Sequence, residues 1–297
     1  MGISNVSIGV LLAVITYMAV ALMGACSRIL SSEIPVCTIL FFQHAICCAL
    51  SFPFAWRCGL KMQHPGLYLC RTLSGAGSYL FLFIAVRTIS LANAQLFMNT
   101  APLWIPFIVW VWFLFRKDKR PPINRHLWWS IGLGFIGILL ILRPGIGVFS
   151  IGLLPGIASG IVSAISLIAI WQLVQLESSS RIVFFYTLFT SLLSLPFAIF
   201  WWTSPTLSNI WLLISIGFLM AIIQLTITAA YRFTTVEVLA PMSYSSVLFG
   251  GLLDFLIWHQ TPMWYTYIGM VCVVLGGIAT LVLSHRHNQR SAGSKEA

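Results

Sequence analysis

Long apolar runs follow one another from Ser7 to Ser284, each close to the length of a bilayer crossing and each followed by a short polar segment. At about 20 apolar residues per crossing, they predict ten helical spans. The first five are Ser7–Cys26, Pro35–Trp56, Leu67–Val86, Leu91–Phe115 and Leu127–Leu142. The second five are Ile151–Val174, Ile182–Trp201, Ile210–Tyr231, Val236–Trp258 and Met263–Ser284. The connections are rich in charge, Pro and Ser, the longest being Arg116-Lys117-Asp118-Lys119-Arg120-Pro121-Pro122-Ile123-Asn124-Arg125. The pattern predicts an all-α polytopic membrane protein. The first run has no basic segment before it and no small-residue cleavage site, so a retained first helix is expected in place of a signal peptide.

The second set of spans repeats the first. Ser7-Ile8-Gly9-Val10-Leu11-Leu12 recurs as Ser150-Ile151-Gly152-Leu153-Leu154-Pro155, an offset of about 143 residues. Phe41-Phe42 and Ser51-Phe52-Pro53-Phe54-Ala55 recur as Phe184-Phe185 and Ser194-Leu195-Pro196-Phe197-Ala198. At an offset near 145, Arg87 pairs with Arg232 and Asn99 with Tyr244. Five spans per half is an odd number, so the second half enters the membrane upside down. The expected organisation is a repeat over 1–145, an inverted repeat over 146–285 and a basic tail over 286–297. Inverted repeats of this kind typify secondary transporters, with the solute site near the bilayer midplane.

Composition supports lipid as the solvent. Hydrophobic residues make up 59% and charged residues 7%, with a mean hydropathy of +0.97, against roughly 25% charged in soluble domains. Of the 16 basic residues, only Arg28, Arg87 and Arg143 fall on the outer side when the N-terminus is placed inside. That bias puts both termini in the cytoplasm of a bacterial inner membrane, and it counts Arg71 with the cytoplasmic side. The net charge of +10 is then a topology and lipid-headgroup feature, with no nucleic-acid partner expected. Seven cysteines lie mostly within apolar runs without zinc-type spacing, which points to buried thiols and to no metal site.

Polar side chains at membrane depth carry the candidate chemistry, because each is costly against lipid and tends to face a cavity. Gln43 and His44 lie in the second span, and Asn93, Gln95 and Asn99 in the fourth, ahead of Pro102 and Pro106. Gln224, Thr226 and Thr228 lie in the eighth span. The ninth holds Pro241, Ser243, Tyr244, Ser245 and Ser246, with Asp254 further along. The expected substrate-binding set is Asn99 and Tyr244 as a symmetric pair, with Gln95, Gln43, His44 and Gln224 as hydrogen-bond partners and Trp104 and Tyr79 as aromatic walls. For each polar residue, a structural bond between helices is the competing role. His44 and Asp254 are candidates for proton coupling; the alternatives are a structural donor for His44 and an interfacial position or a cation partner for Asp254. Small residues recur every fourth position in the sixth span (Gly152, Gly156, Gly160, Ala164) and suit close helix packing. A Gly-Lys-Ser/Thr phosphate loop, a Gly-x-Ser-x-Gly elbow and a His-Glu-x-x-His site are all missing, so no ATPase, enzyme or cofactor is expected.

The chain resembles the EamA-like members of the drug/metabolite transporter superfamily. Phe41-Phe42-Gln43-His44, Ser51-Phe52-Pro53, Thr100-Ala101-Pro102-Leu103, Leu142-Arg143-Pro144-Gly145 and Leu239-Ala240-Pro241-Met242-Ser243-Tyr244 carry the likeness, which runs from about Ser7 to Ser284. The pattern is most similar to members proposed to carry S-adenosylmethionine in intracellular bacteria. It departs from them where the ninth span ends in Trp258-His259-Gln260 and the fourth in Phe115-Arg116-Lys117, without their acidic residue. The resemblance implies a cavity lined by spans 1, 3, 4, 6, 8 and 9, peripheral spans 5 and 10, and transport without ATP. The expected function is secondary-active movement of a small organic metabolite (an amino acid, S-adenosylmethionine or a related amphipathic compound) by alternating access. Its partners would be that solute and the lipid bilayer, with a homodimer left open. The alternative is a lipid-handling protein, either a scramblase or a lipid-modifying enzyme.

Overall fold

The computed structural model describes residues 5–30, 32–86, 97–98, 100–116, 125–142 and 153–259, and in the last span 264–265, 267–269, 271–272, 274–276 and 279. These residues form helices and turns, with no strand among them. In chain order the elements are α1 (Asn5–Leu30), α2 (Val36–Arg57), α3 (Pro65–Val86), α4 (Ala101–Arg116), α5 (Arg125–Leu142), α6 (Leu153–Leu176), α7 (Ser179–Phe200) and α8 (Leu207–Phe233). A one-turn helix over Val236–Leu239, a 3₁₀ segment over Ala240–Tyr244 and α9 (Ser245–Trp258) follow. α1, α2, α6, α7 and α8 are each long and apolar enough to cross a membrane. Parts of the fourth, sixth and tenth expected spans lie outside the described residues, as do Asn93, Gln95, Asn99, Arg87, Arg143 and the basic tail.

The chain packs as two compact units. The first comprises Met1–Leu73, Ala169–Phe233 and Phe249–Gln260, and the second Ser74–Ile168, Thr234–Leu248 and Thr261–Ala297. Each therefore draws on sequence from both expected repeats.

In the first unit α1 packs on α8, and α2 packs on both α7 and α8. Helices in lipid gain little from burying apolar area, so packing fit and interhelical hydrogen bonds must hold them. α8 shows how the sequence supplies both. Asn209, Leu213, Ile216, Met220, Ile223, Ile227 and Ala230, spaced by three or four residues, are buried, while Trp211, Phe218 and Ile222 are exposed on the other side. The buried row packs with Leu30, Ile34 and Ile39 near one end and with Cys47, Val183 and Tyr186 further along. Gly217 lets α2 approach, since a Cβ there would lie 2.5 Å from the Cβ of Ile46. Thr16 and Thr226 share a 2.7 Å hydrogen bond between α1 and α8, and Asn209 donates to Glu33 at 2.9 Å. α2 ends on Gly59, whose φ of +81° is a left-handed conformation that glycine adopts without strain.

In the second unit the 3₁₀ segment packs against α4 and α5, and α4 against α5. A 3₁₀ turn is poorly bonded compared with α-helix and marks a break in the ninth span. Pro241, which has no N–H to donate, sits at its first turn. Gly160 of α6 meets the carbonyl oxygen of Phe97, to which a Cβ would approach within 2.5 Å. Gly156 and Gly160, both in the expected small-residue stripe, thus allow α6 to lie against Phe97 and Thr100.

Candidate functional site

Polar side chains gather at the centre of the first unit. Gln43 and His44 come from α2, Arg71 from α3, Tyr186 from α7 and Gln224 from α8, and all five are buried. The Arg71 guanidinium lies 4.0 Å from the centre of the Tyr186 ring and donates from Nη2 to Gln224 Oε1 at 3.4 Å. The His44 ring meets Tyr186 edge to face, with centroids 5.8 Å apart. His44 Nδ1 stands 2.8 Å from the Leu40 carbonyl. A carbonyl can only accept, so Nδ1 carries a proton, and in the neutral ring Nε2 is then an acceptor. That Nε2 is buried and finds no partner among the described residues.

Two of the expected site residues, His44 and Gln224, are therefore joined through two outside the expected set, Arg71 and Tyr186, and Gln43 lies beside His44 with 3.4 Å between its Nε2 and Nδ1. Arg71 lies nearly two turns inside α3 and is only 7% exposed. Tyr186 was legible in principle, because the repeat offset that pairs Phe41-Phe42 with Phe184-Phe185 also pairs Gln43-His44 with Tyr186-Thr187.

A second polar knot closes one end of the same unit. The Glu177 carboxylate, with its side chain fully buried, accepts the Gln63 backbone N–H at 2.8 Å and an N–H from Arg181 Nη1. Arg181 also donates from Nε to the Gly59 carbonyl at 2.7 Å and from Nη2 to that of Cys58 at 2.5 Å. Arg232 Nη2 donates to the Glu177 carbonyl at 2.7 Å. Two interhelical connections and the end of α8 are thus tied by charge-assisted hydrogen bonds, the stronger kind. The signal available in the sequence was Glu177 four residues before Arg181, a pair that faces one side of a helical turn.

The remaining described site residues lie in the second unit. Tyr244 ends the 3₁₀ segment, is 1% exposed, and rests on α5 where Gly134 would otherwise carry a Cβ 2.6 Å from the ring. Its hydroxyl is buried without a hydrogen-bond partner among the described residues. Trp104 Nε1 donates to Thr100 Oγ1 at 3.0 Å, and that hydroxyl donates to the Phe97 carbonyl at 2.6 Å. Tyr79 packs with Leu82, Ala85, Phe97 and Met98. Asn99 and Gln95 lie outside the described residues, and so does the side chain of Asp254. The described residues hold no cluster of metal-ligating side chains.

Apolar helices that expose large rings on one side and enclose polar side chains on the other define a multi-pass membrane protein. The comparison with known proteins narrows that class. The chain belongs to the EamA-like transporter family, whose model matches residues 7–143 and again residues 150–282. It is similar to the pseudopaline exporter CntI of Pseudomonas aeruginosa, with 26% identity over 275 residues, 91% of this chain and 95% of the relative. It is also similar to an S-adenosylmethionine uptake transporter of Rickettsia bellii, with 23% identity over 252 residues, 84% of each protein. One solved crystal structure superposes with a TM-score of 0.78 at 19% identity, covering 95% of this chain and 98% of the other, which shows a shared fold. The family and these relatives are transporters, and enzymatic roles, including lipid modification, fall away.

Proposed function

We propose that this protein is a secondary-active carrier that moves a small organic metabolite by alternating access. The solute class is an amino acid, S-adenosylmethionine or a related amphipathic compound. In this reading the ten spans form two inverted repeats, 1–145 and 146–285, with both termini and the tail 286–297 in the cytoplasm of a bacterial inner membrane. The start positions of the two family matches, 7 and 150, differ by the offset of the sequence repeat, which supports the duplication. The observation that carries the reading is the set of buried polar side chains on helices built otherwise from apolar residues, within a chain of a transporter family. Such groups replace the water a polar solute gives up on entering the bilayer.

Asn99, Gln95 and Tyr244 would bind the solute with Trp104 and Tyr79 as ring walls, and Gln43, His44 and Gln224 would act as hydrogen-bond partners. The break at Ala240–Tyr244 supports Tyr244, since interrupted helices at membrane depth offer backbone groups to a solute. His44 or Asp254 would carry a proton if transport is coupled to one. Relatives named as an exporter and as an uptake transporter leave the direction to experiment.

The test is counterflow into liposomes holding the purified protein, over a panel of amino acids, nucleosides and S-adenosylmethionine. Accumulation of one labelled compound, lost in the Asn99→Ala/Tyr244→Ala double variant, is expected. Absence of saturable flux for every compound, with the protein shown folded, would overturn the carrier reading. Flux unchanged by the double variant would overturn the site.

A further inference from the structure

The cytoplasm-assigned end of α2 carries a second feature, one that no transport step uses. An open cleft of about 370 Å³ is lined by Phe52, Pro53, Trp56 and Arg57. Its lining is mostly apolar. The Phe52 and Trp56 rings stand 5.5 Å apart, and Phe52 is backed by Phe184 of α7 at 5.6 Å. Trp56 is 64% exposed and Phe52 41%. Two large rings left open on a membrane helix face lipid, and a Trp near a helix end is an interfacial anchor.

Charge sets the occupant. In the first unit, Arg181 and Arg232 spend their guanidinium groups on Glu177 and on backbone carbonyls, and Arg71 lies inside the bundle on Tyr186. Arg57, at the rim of the cleft, makes no hydrogen bond or ion pair with any described residue, and neither does Lys61 just beyond it. Arg57, at the aromatic cleft, and Lys61, four residues on, are thus two cations without partners among the described residues at the end of a membrane helix. A zwitterionic headgroup would bring its own cation toward them, and an anionic one would not.

We infer that this cleft binds an anionic phospholipid, with an acyl chain lying along the exposed faces of Phe52 and Trp56 and the phosphate on Arg57. The site is independent of the solute and of alternating access.

The experiment measures the association of spin-labelled phosphatidylglycerol and spin-labelled phosphatidylcholine with the full chain in phosphatidylcholine vesicles. About a fivefold preference for phosphatidylglycerol is expected, the effect of one basic side chain at a membrane surface. It should fall to near unity in Arg57→Gln and persist in Arg57→Lys, with unfolding temperatures unchanged because Arg57 is exposed. Trp56→Ala should weaken retention of both lipids. Equal association of the two lipids with the unaltered protein, or a preference that survives Arg57→Gln, overturns the assignment. So does loss of the preference when inorganic phosphate is added at constant ionic strength, which would make the ligand a small anion and not a lipid.

Discussion

The knot around Glu177 yields an asymmetric prediction. The two charges are not equally able to reach water: the Glu177 side chain is fully buried, whereas that of Arg181 is 11% exposed. Arg181→Ala strands a carboxylate that keeps only the Gln63 N–H. Leaving a buried charge without its partner costs about 3–5 kcal/mol. Glu177→Ala strands a guanidinium that keeps the carbonyls of Gly59 and Cys58 and can swing outward. Its cost should be nearer that of lost charge-assisted hydrogen bonds, about 1.5–3 kcal/mol. The double variant should cost less than the sum of the two, because neither charge is then stranded. The assay is reversible denaturant unfolding of the four proteins in one detergent, followed by tryptophan fluorescence. Glu177→Ala proving more damaging than Arg181→Ala would refute the burial reasoning. So would both costing under about 1 kcal/mol, the range of an exposed ion pair.

Other expectations follow from single contacts. Gly217→Ala should destabilise by about 1–3 kcal/mol through overpacking against Ile46, and adding Ile46→Ala should recover part of that in a thermal unfolding assay. Thr16→Cys/Thr226→Cys should oxidise readily to a disulfide, since the native hydroxyls are 2.7 Å apart; thiol labelling of the unfolded chain would read this out, and full labelling after oxidant would count against the α1–α8 contact. Tyr244→Phe should leave the unfolding temperature nearly unchanged, because its buried hydroxyl has no partner among the described residues, and should slow counterflow if the hydroxyl meets solute. A lower unfolding temperature with normal flux would make that hydroxyl structural.

The membrane spans were legible because lipid leaves few ways to satisfy a backbone, so length and hydropathy alone locate α1, α2, α7 and α8 to within a few residues. The site was legible only in part. Gln43, His44 and Gln224 stood out as polar residues within apolar runs. Arg71 did not, because a cation near the start of a span looks the same in sequence whether it snorkels to the headgroups or turns inward onto a ring. What decides its direction is Tyr186, which lies on α7, far along the chain, and no local pattern reports that neighbour. Glu177 and Arg181 were hidden differently: a charged pair in a short connection reads as solvated, and only the return of the segment around Gly59 closes it off from water. The 3₁₀ turn was foreshadowed by Pro241, although its extent to Tyr244 depends on packing against α4 and α5.

The composition of the first unit has a bearing on how the protein is made. α1 and α2 leave the ribosome first, yet the helices they pack against, α7 and α8, lie beyond the whole stretch from Ser74 to Ile168. Throughout insertion of that stretch, Gln43 and His44 have neither Tyr186 nor Gln224 to turn to. The nascent chain must hold two polar side chains in the bilayer, shielded by transient contacts or by an insertion chaperone, until α7 arrives. Substitutions in α7 that weaken its fit to α2 should therefore lower the yield of intact protein in cells more than they lower the stability of what is recovered.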